Sequence, residues 1–386
     1  MPKILRIINR FNLGGPTYNA AYLTKYLPAE FETLLIGGMK DETEESSEFI
    51  LKNLGVHYQI IPEMKRSVNP FNDLSAYHKI KNIIREFKPD IVHTHAAKAG
   101  AIGRKAAFAC KVPATVHTFH GHVFHFYFGS LKTSLYKAIE KNLAKKTSAI
   151  IAISERQKEE LVNEHKITSA DKIHVIPLGF DLSRFRENQK DKRENFRLKY
   201  SLSENVIAIG IIGRLVPVKN HSLFLEAIKF VNDKSNKKIR AFIVGDGEER
   251  SYLELRAKEF GLSDVVVFTS WEKEVDKIYP GLDIVCLTSF NEGTPVSLIE
   301  AQAAGKPIVS TNVGGIENVV MSEETAFLSQ LNESDKFYNN LFKLVENKNM
   351  RNSMSEKGWD FVCNKFHFSR LISDTKELYL KILKSY

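Results

Sequence analysis

The feature that most constrains this chain is a rhythm of short apolar runs alternating with helix-length segments, and the rhythm occurs twice. In the first half the runs fall at residues 4–9, 33–36, 57–61, 91–93, 114–117, 149–153 and 173–176. Runs of this length, mostly apolar rather than apolar at every second position, suit strands covered on both faces. Helical crossovers between parallel strands provide that cover. The segment Ile176-Pro177-Leu178-Gly179-Phe180-Asp181 breaks the pattern, and a charged stretch follows at 184–199. The rhythm then restarts at 206–212, 241–244, 265–268, 284–287 and 307–310. The expected fold is α/β, with two doubly wound domains in tandem at residues 1–183 and 184–366. The remaining segment, 367–386, carries a helical pattern at 368–383 with no strand after it, and is expected to pack back on the first domain. A chain of 386 residues is long enough for two such cores.

Composition narrows the setting. Three cysteines, Cys110, Cys286 and Cys363, are far apart and odd in number, so they build neither a disulfide framework nor a zinc spacing. The first residues are too short and too charged for a secretion signal, and no run of 18 apolar residues occurs. A reducing, cytoplasmic setting is expected. The formal charge of +9 is uneven: residues 1–185 carry 26 Lys and Arg against 18 acids, and the rest carry 29 against 28. A basic first half attracts nucleic acid, anionic lipid or a phosphorylated substrate alike.

Ligands of doubly wound sheets sit beyond the carboxyl ends of strands, so the loops there carry the chemistry. In the segment 283–307 a buried strand is expected to end near Ser289. Thr294 is then placed as N-cap and Pro295 at the first helical position, with the helix closing at Gly305. A helix start offers free N–H groups and a positive dipole end to a phosphate. Glu292 stands just before that start, able to accept from ligand hydroxyls. Glu300 lies about a turn and a half further in, within reach of a diol. A lone glutamate there often serves only the dipole, about 0.3–1 kcal/mol. Two of them bracketing a Gly-Thr-Pro cap after a buried strand are poorly explained that way.

This pair resembles the Glu, seven residues, Glu motif of retaining glycosyltransferases with the GT-B fold, family 4, in which two Rossmann-like domains face each other across a cleft. The resemblance extends over almost the whole chain and is most specific in the carboxyl half. Gly213-Arg214 with Lys219 is similar to the family's Gly-Arg loop, 244–247 to its short turn containing Gly245, and Gly314-Gly315 to its glycine pair. Asn12-Leu13-Gly14-Gly15 resembles its glycine loop. The segment 176–181 resembles its interdomain run.

The resemblance implies that Arg214 and Lys219 hold the donor diphosphate, that Glu292 binds the transferred sugar and that Glu300 binds the ribose. The backbone around Gly293, Thr294 and Pro295 would face the phosphates, although Pro295 has no N–H to give. Gly14 and Gly15 would close the site from the other domain, and Gly213 and Gly245 would shape the diphosphate loop. His120 resembles the family's active-site histidine, with His117 and His122 as competing matches. The catalytic set is thus His120, Arg214, Lys219 and Glu292. The resemblance further implies a nucleotide diphosphate sugar as donor, with a UDP-linked hexose or N-acetylhexosamine expected, and retention of anomeric configuration. It implies neither cofactor nor metal. A metal at the histidines His93, His95, His117, His120, His122 and His125 is disfavoured on separate grounds, since no carboxylate or cysteine shares their segment at ligand spacing.

Residues 123–146 combine Phe124, Phe126, Tyr127 and Phe128 with Lys132, Lys137, Lys141, Lys145 and Lys146. Such a basic amphipathic stretch can lie on an anionic membrane surface, or can be an ordinary helix with a solvated lysine face. With the basic first half it suggests a glycan or lipid-linked acceptor at the inner leaflet. Four other functions compete with this one. A nicotinamide dehydrogenase lacks its fingerprint, because 245–250 has no third glycine. A nucleotide-sugar epimerase and a non-catalytic sugar-binding protein remain as alternatives. Nucleic-acid binding has only the charge in its favour.

Overall fold

The computed structural model describes the whole chain except residues 13–14, 41–45, 66, 68 and 121–129, and the side chains of 130–132. It divides into two compact units, Met1–Phe180 with Phe366–Tyr386, and Asp181–Lys365. The division thus comes after Phe180, where 183 had been expected.

Unit 1 contains β1 (Lys3–Arg10), β2 (Glu32–Gly38), β3 (Tyr58–Ile60), β4 (Ile91–His95), β5 (Ala114–Phe119), β6 (Ala149–Ala152) and β7 (Ile173–Val175). They form one parallel sheet in the order β3-β2-β1-β4-β5-β6-β7. Every residue of β4, β5 and β6 is buried, the two-faced cover that the unbroken apolar runs require. One face lies under the helices Gly15–Tyr26 and Phe368–Leu383, where Ile4, Ile91 and Val116 meet Leu23, Leu27, Leu371, Leu378 and Tyr379. The terminal helix is held at its start as well. Phe368 stacks on Tyr26 at 4.6 Å between centroids, and Arg370 Nη2 donates to the carbonyls of Pro177 and Leu178 at 2.6 and 3.0 Å.

Unit 2 contains β8 (Ile207–Ile212), β9 (Ile239–Val244), β10 (Val266–Ser270), β11 (Ile284–Leu287), β12 (Ile308–Thr311) and β13 (Ala326–Ser329). The parallel order is β10-β9-β8-β11-β12-β13. The helix His221–Lys234 buries Leu223, Phe224, Leu225, Ile228 and Val231, most of them in the core built on Ile207, Ile209 and Ile211. Strand β13 was not anticipated from sequence. Its four residues include only three apolar ones and follow the charged turn Glu323-Glu324, so no apolar run announces it. Pairing with β12, from Ile308 opposite Ala326 to Thr311 opposite Ser329, makes it a strand.

This order fixes where a ligand can sit in unit 2. From β8 the chain builds β9 and β10 on one side, then returns to lay β11 on the other, so the loops after β8 and β11 diverge. That divergence is the switch point at which doubly wound sheets bind ligands.

Candidate active site

Both loops at the unit 2 switch point carry residues singled out from the sequence. After β8 come Gly213 and Arg214, then the turn Pro217–Lys219 leading into His221–Lys234. After β11 come Thr288 and Ser289, then Glu292, and the eight-residue helix Val296–Ala303. The loops are stitched together: Phe290 N donates to Val218 O at 2.8 Å, and Thr288 Oγ1 to Lys219 O at 2.9 Å. Lys219 Nζ reaches Glu292 Oε1 at 2.6 Å, and Ser289 Oγ donates to the same oxygen at 2.5 Å. The lysine and glutamate side chains are only 21% and 10% exposed, so their attraction is weakly screened. Oε2 of Glu292 has no partner among the described residues and is left to accept from a ligand.

Arg214, by contrast, is exposed and forms no ion pair or side-chain hydrogen bond with any described residue. It is an uncommitted cation beside a committed one. His221, at the first position of its helix, is buried, and neither ring nitrogen has a partner among the described residues. Burial, with the charge of Lys219 second, pushes its pKa down to about 4, so it is neutral at pH 7.

Backbone close approach explains three glycines. At Gly314, φ is +58° and a Cβ would stand 1.9 Å from Glu292 O, while a Cβ on Gly315 would meet Gly293 O at the same distance. Gly315 N donates to Glu292 O at 3.0 Å, so the glycine pair clasps the Glu292 loop from β12's side. Gly245, at φ +141°, lies equally close to Gly213 O and fixes the arginine loop from β9's side. A Cβ on Gly213 would make only ordinary contact with Lys219 Cε at 4.0 Å, and one on Gly293 would meet open space.

The helix start differs by one residue from expectation. Thr294 is not the cap: Val296 begins the helix, and the extended Pro295 (ψ 97°) is the boundary residue, its carbonyl accepting from Leu298 N at 3.1 Å. A proline ring at 295 fixes φ but leaves ψ free, and here ψ is not helical. No side chain caps this helix. Glu300, on its second turn, is partly buried and accepts from Tyr279 Oη at 3.0 Å. Burial pushes its pKa up from 4.5 to about 7, against the opposing pull of Arg184 and the Tyr279 hydrogen bond.

In unit 1, Gly14 lies outside the described residues, as do His122, His125 and the aromatics at 124 and 126–128. Gly15 opens its helix with ordinary contact at Leu178, so packing there does not itself demand glycine. His120 follows β5, with Nε2 at 2.9 Å from His95 Nδ1. His95 stacks on His93 at 4.2 Å between centroids, and His93 is held between Tyr379 Oη at 2.5 Å and Thr118 Oγ1 at 2.7 Å. His117 Nδ1 meets Thr94 Oγ1 at 2.9 Å, away from this row. Burial pushes the pKa of His120 down to about 3 and those of His93, His95 and His117 well below the usual range. This row is a set of neutral imidazoles, unsuited to acting as imidazolium acids near pH 7. Among the described residues no cluster of three or more His, Cys, Asp or Glu could hold a metal ion.

Comparison with known proteins fits this geometry. Residues 192–360 match the family described as Glycosyl transferases group 1, and residues 13–184 match Glycosyltransferase Family 4. An Escherichia coli UDP-Gal:alpha-D-GlcNAc-diphosphoundecaprenol alpha-1,3-galactosyltransferase is 31% identical over 327 residues, 84% of this chain and 83% of its own. The chain belongs to glycosyltransferase family 4. A capsular polysaccharide biosynthesis glycosyltransferase, CapM of Staphylococcus aureus, is 27% identical over 84% of this glycosyltransferase and 85% of its own length. Among solved structures, Anabaena Alr3699/HepE in complex with UDP superposes with a TM-score of 0.82 at 20% identity, covering 98% of this chain and 100% of that one. That likeness shows the two-domain α/β GT-B fold of this family 4 enzyme. Ser289, Tyr279 and His95 escaped the sequence reading as site residues. Ser289 was placed at the strand's end, but its hydrogen bond to Glu292, three residues on, was not anticipated. Tyr279 and His95 have no spacing that links them to their partners.

Proposed function

We propose that this glycosyltransferase moves a hexose or N-acetylhexosamine from UDP to a glycan or lipid-linked acceptor of cell-surface polysaccharide, with retention of configuration. The observation that carries the reading is the pairing of Lys219 with Glu292 at the unit 2 switch point, beside the uncommitted Arg214 and an uncapped helix start. The diphosphate lies against Arg214, Lys219 and the first N–H groups of Val296–Ala303. An ammonium has three hydrogens, so Lys219 can keep Glu292 and still donate to a phosphate oxygen. Glu292 Oε2 accepts from the sugar hydroxyls, and Glu300 from the ribose.

As the bond from C1 to the phosphate oxygen breaks, positive charge grows on the sugar ring and negative charge on the leaving diphosphate. Fixed cations and helix N–H groups stabilise the latter without reorganising, and loss of one such group typically lowers the rate by about 10²–10³. The acceptor oxygen attacks C1 from the face the diphosphate leaves, its proton passing to a diphosphate oxygen, so UDP and an α-glycoside are formed from an α-linked donor. No carboxylate pair of the hydrolase kind is required. Positive charge from side chains makes a donor-bound metal unnecessary, and turnover is expected to survive chelators.

Two relatives support the substrate classes: the E. coli enzyme is named for UDP-Gal and a diphosphoundecaprenol acceptor, and CapM for capsular polysaccharide. The Anabaena protein has been solved with UDP-glucose. The helix Ser130–Lys146, with Leu135, Lys145 and Lys146 exposed, supports contact with an anionic inner leaflet. A panel of UDP-sugars with a lipid-diphosphate glycan acceptor tests the reading. A glycosylated product with an α anomeric signal by NMR is expected. Epimerised donor formed without acceptor, or a β-linked product, would refute it.

A further inference from the structure

Tyr279 opens the turn Tyr279–Gly281 that leads into β11, and its side chain is wholly buried. Its ring packs edge-on against Phe185, centroids 5.6 Å apart, so packing fixes the ring independently of its hydroxyl. That hydroxyl lies 3.0 Å from Glu300 Oε2 and 3.0 Å from the carbonyl oxygen of Ser297. A phenol has one hydrogen to give, so the two acceptors share it, and the carboxylate is the stronger acceptor in its ionised form. Glu300 is thereby anchored through one oxygen to a rigid ring, and Oε1 has no hydrogen-bond partner among the described residues. Arg184 adds favourable charge near this carboxylate; it lies 3.9 Å from Asp276, which Lys192 also binds at 2.8 Å.

We propose that Tyr279 is a positioning residue for the nucleotide: it locks the Glu300 carboxylate so that Oε1 accepts from the ribose hydroxyls and discriminates ribonucleotide from deoxyribonucleotide donors. This rests on Glu300 as the ribose ligand. A carboxylate free to rotate would accept from the ribose equally well in principle, but only after losing rotamer freedom on binding. The ring bears that ordering before the donor arrives.

Calorimetric titration of UDP, 2′-deoxy-UDP and 3′-deoxy-UDP into wild type, Tyr279→Phe and Glu300→Gln separates the possibilities. Wild type is expected to prefer UDP over at least one deoxy form. In Tyr279→Phe, UDP binding weakens by about three- to tenfold, the size of one hydrogen bond, while the disfavoured analogue is unaffected, so the preference collapses. Equal weakening of all three ligands marks a merely structural tyrosine and overturns the proposal. So does a full preference kept by Tyr279→Phe where Glu300→Gln has lost it, an outcome that leaves Glu300 in place as ribose ligand. No preference in wild type removes both readings. Should phenylalanine at 279 unfold the protein, 3-fluorotyrosine at that position keeps the shape and strengthens the donor; it is expected to widen the preference, and an unchanged preference refutes the role.

Discussion

Replacing Glu300 by glutamine should make the protein more stable at neutral and alkaline pH while weakening its hold on nucleotide. The carboxyl titrates near 4.5 when unfolded and about 7 when folded, raised first of all by burial. Between those values the folded state holds a proton that the unfolded state has released, so stability falls as pH rises, and the whole penalty is present above pH 7. At 1.36 kcal/mol per pKa unit the shift corresponds to about 3 kcal/mol, and partial exposure of the residue reduces the expectation to about 1–3 kcal/mol. A glutamine amide oxygen can still accept from Tyr279 but carries no charge to desolvate. Urea unfolding of both proteins, followed by fluorescence at half-unit steps from pH 4.5 to 8.5, measures the effect. The curves should coincide at pH 4.5, separate up to pH 7 and run parallel beyond, with the variant the more stable. Parallel curves throughout would refute the burial argument. Curves that separate in the opposite sense would mean that Arg184 and Tyr279 outweigh desolvation.

Two further perturbations probe the scaffold. Gly314→Ala places a methyl 1.9 Å from Glu292 O at a positive φ, so it should destabilise unit 2 by about 1–3 kcal/mol and raise KM for the donor more than it changes thermal stability elsewhere; unchanged KM and midpoint would contradict the clasp. The imidazole row of unit 1 should remain neutral down to pH 5, because burial holds His120 near 3 and its neighbours low. Here the folded pKa is depressed, so the stability is present above pH 6.5 and is lost as pH falls toward 3. Histidine resonances that titrate near 6.5 in the folded protein would refute this.

The sheets were legible because the central strands, such as β4, β5, β6, β11 and β12, are buried on both faces and therefore stand out as apolar runs; the flanking glycines and prolines marked where the runs stop. The same logic hid β13, whose identity as a strand comes from its partner β12 rather than from its own four residues. Helix boundaries depend on one dihedral, and the ψ of Pro295 moved the site helix by a residue. Glu292 and Lys219 could be singled out by motif, but not their ion pair, which joins residues 73 positions apart in the chain. The sequence-level assignment treated the two as serving different parts of the donor. In the fold the Lys219 ammonium is bonded directly to a Glu292 carboxylate oxygen. Tyr279 and His95 act only through neighbours supplied by tertiary packing, and no local pattern encodes such a relation.

If the loops after β8 and β11 hold a nucleotide diphosphate, Arg214 is the residue that shows it most directly. Its side chain is exposed and unpaired among the described residues, so Arg214→Ala removes a ligand contact without breaking an internal one. A calorimetric titration of UDP should show the variant binding about ten- to a hundredfold more weakly than wild type, the loss of one charge-assisted hydrogen bond to phosphate. Equal affinity in the two proteins, with the fold intact, would contradict the account.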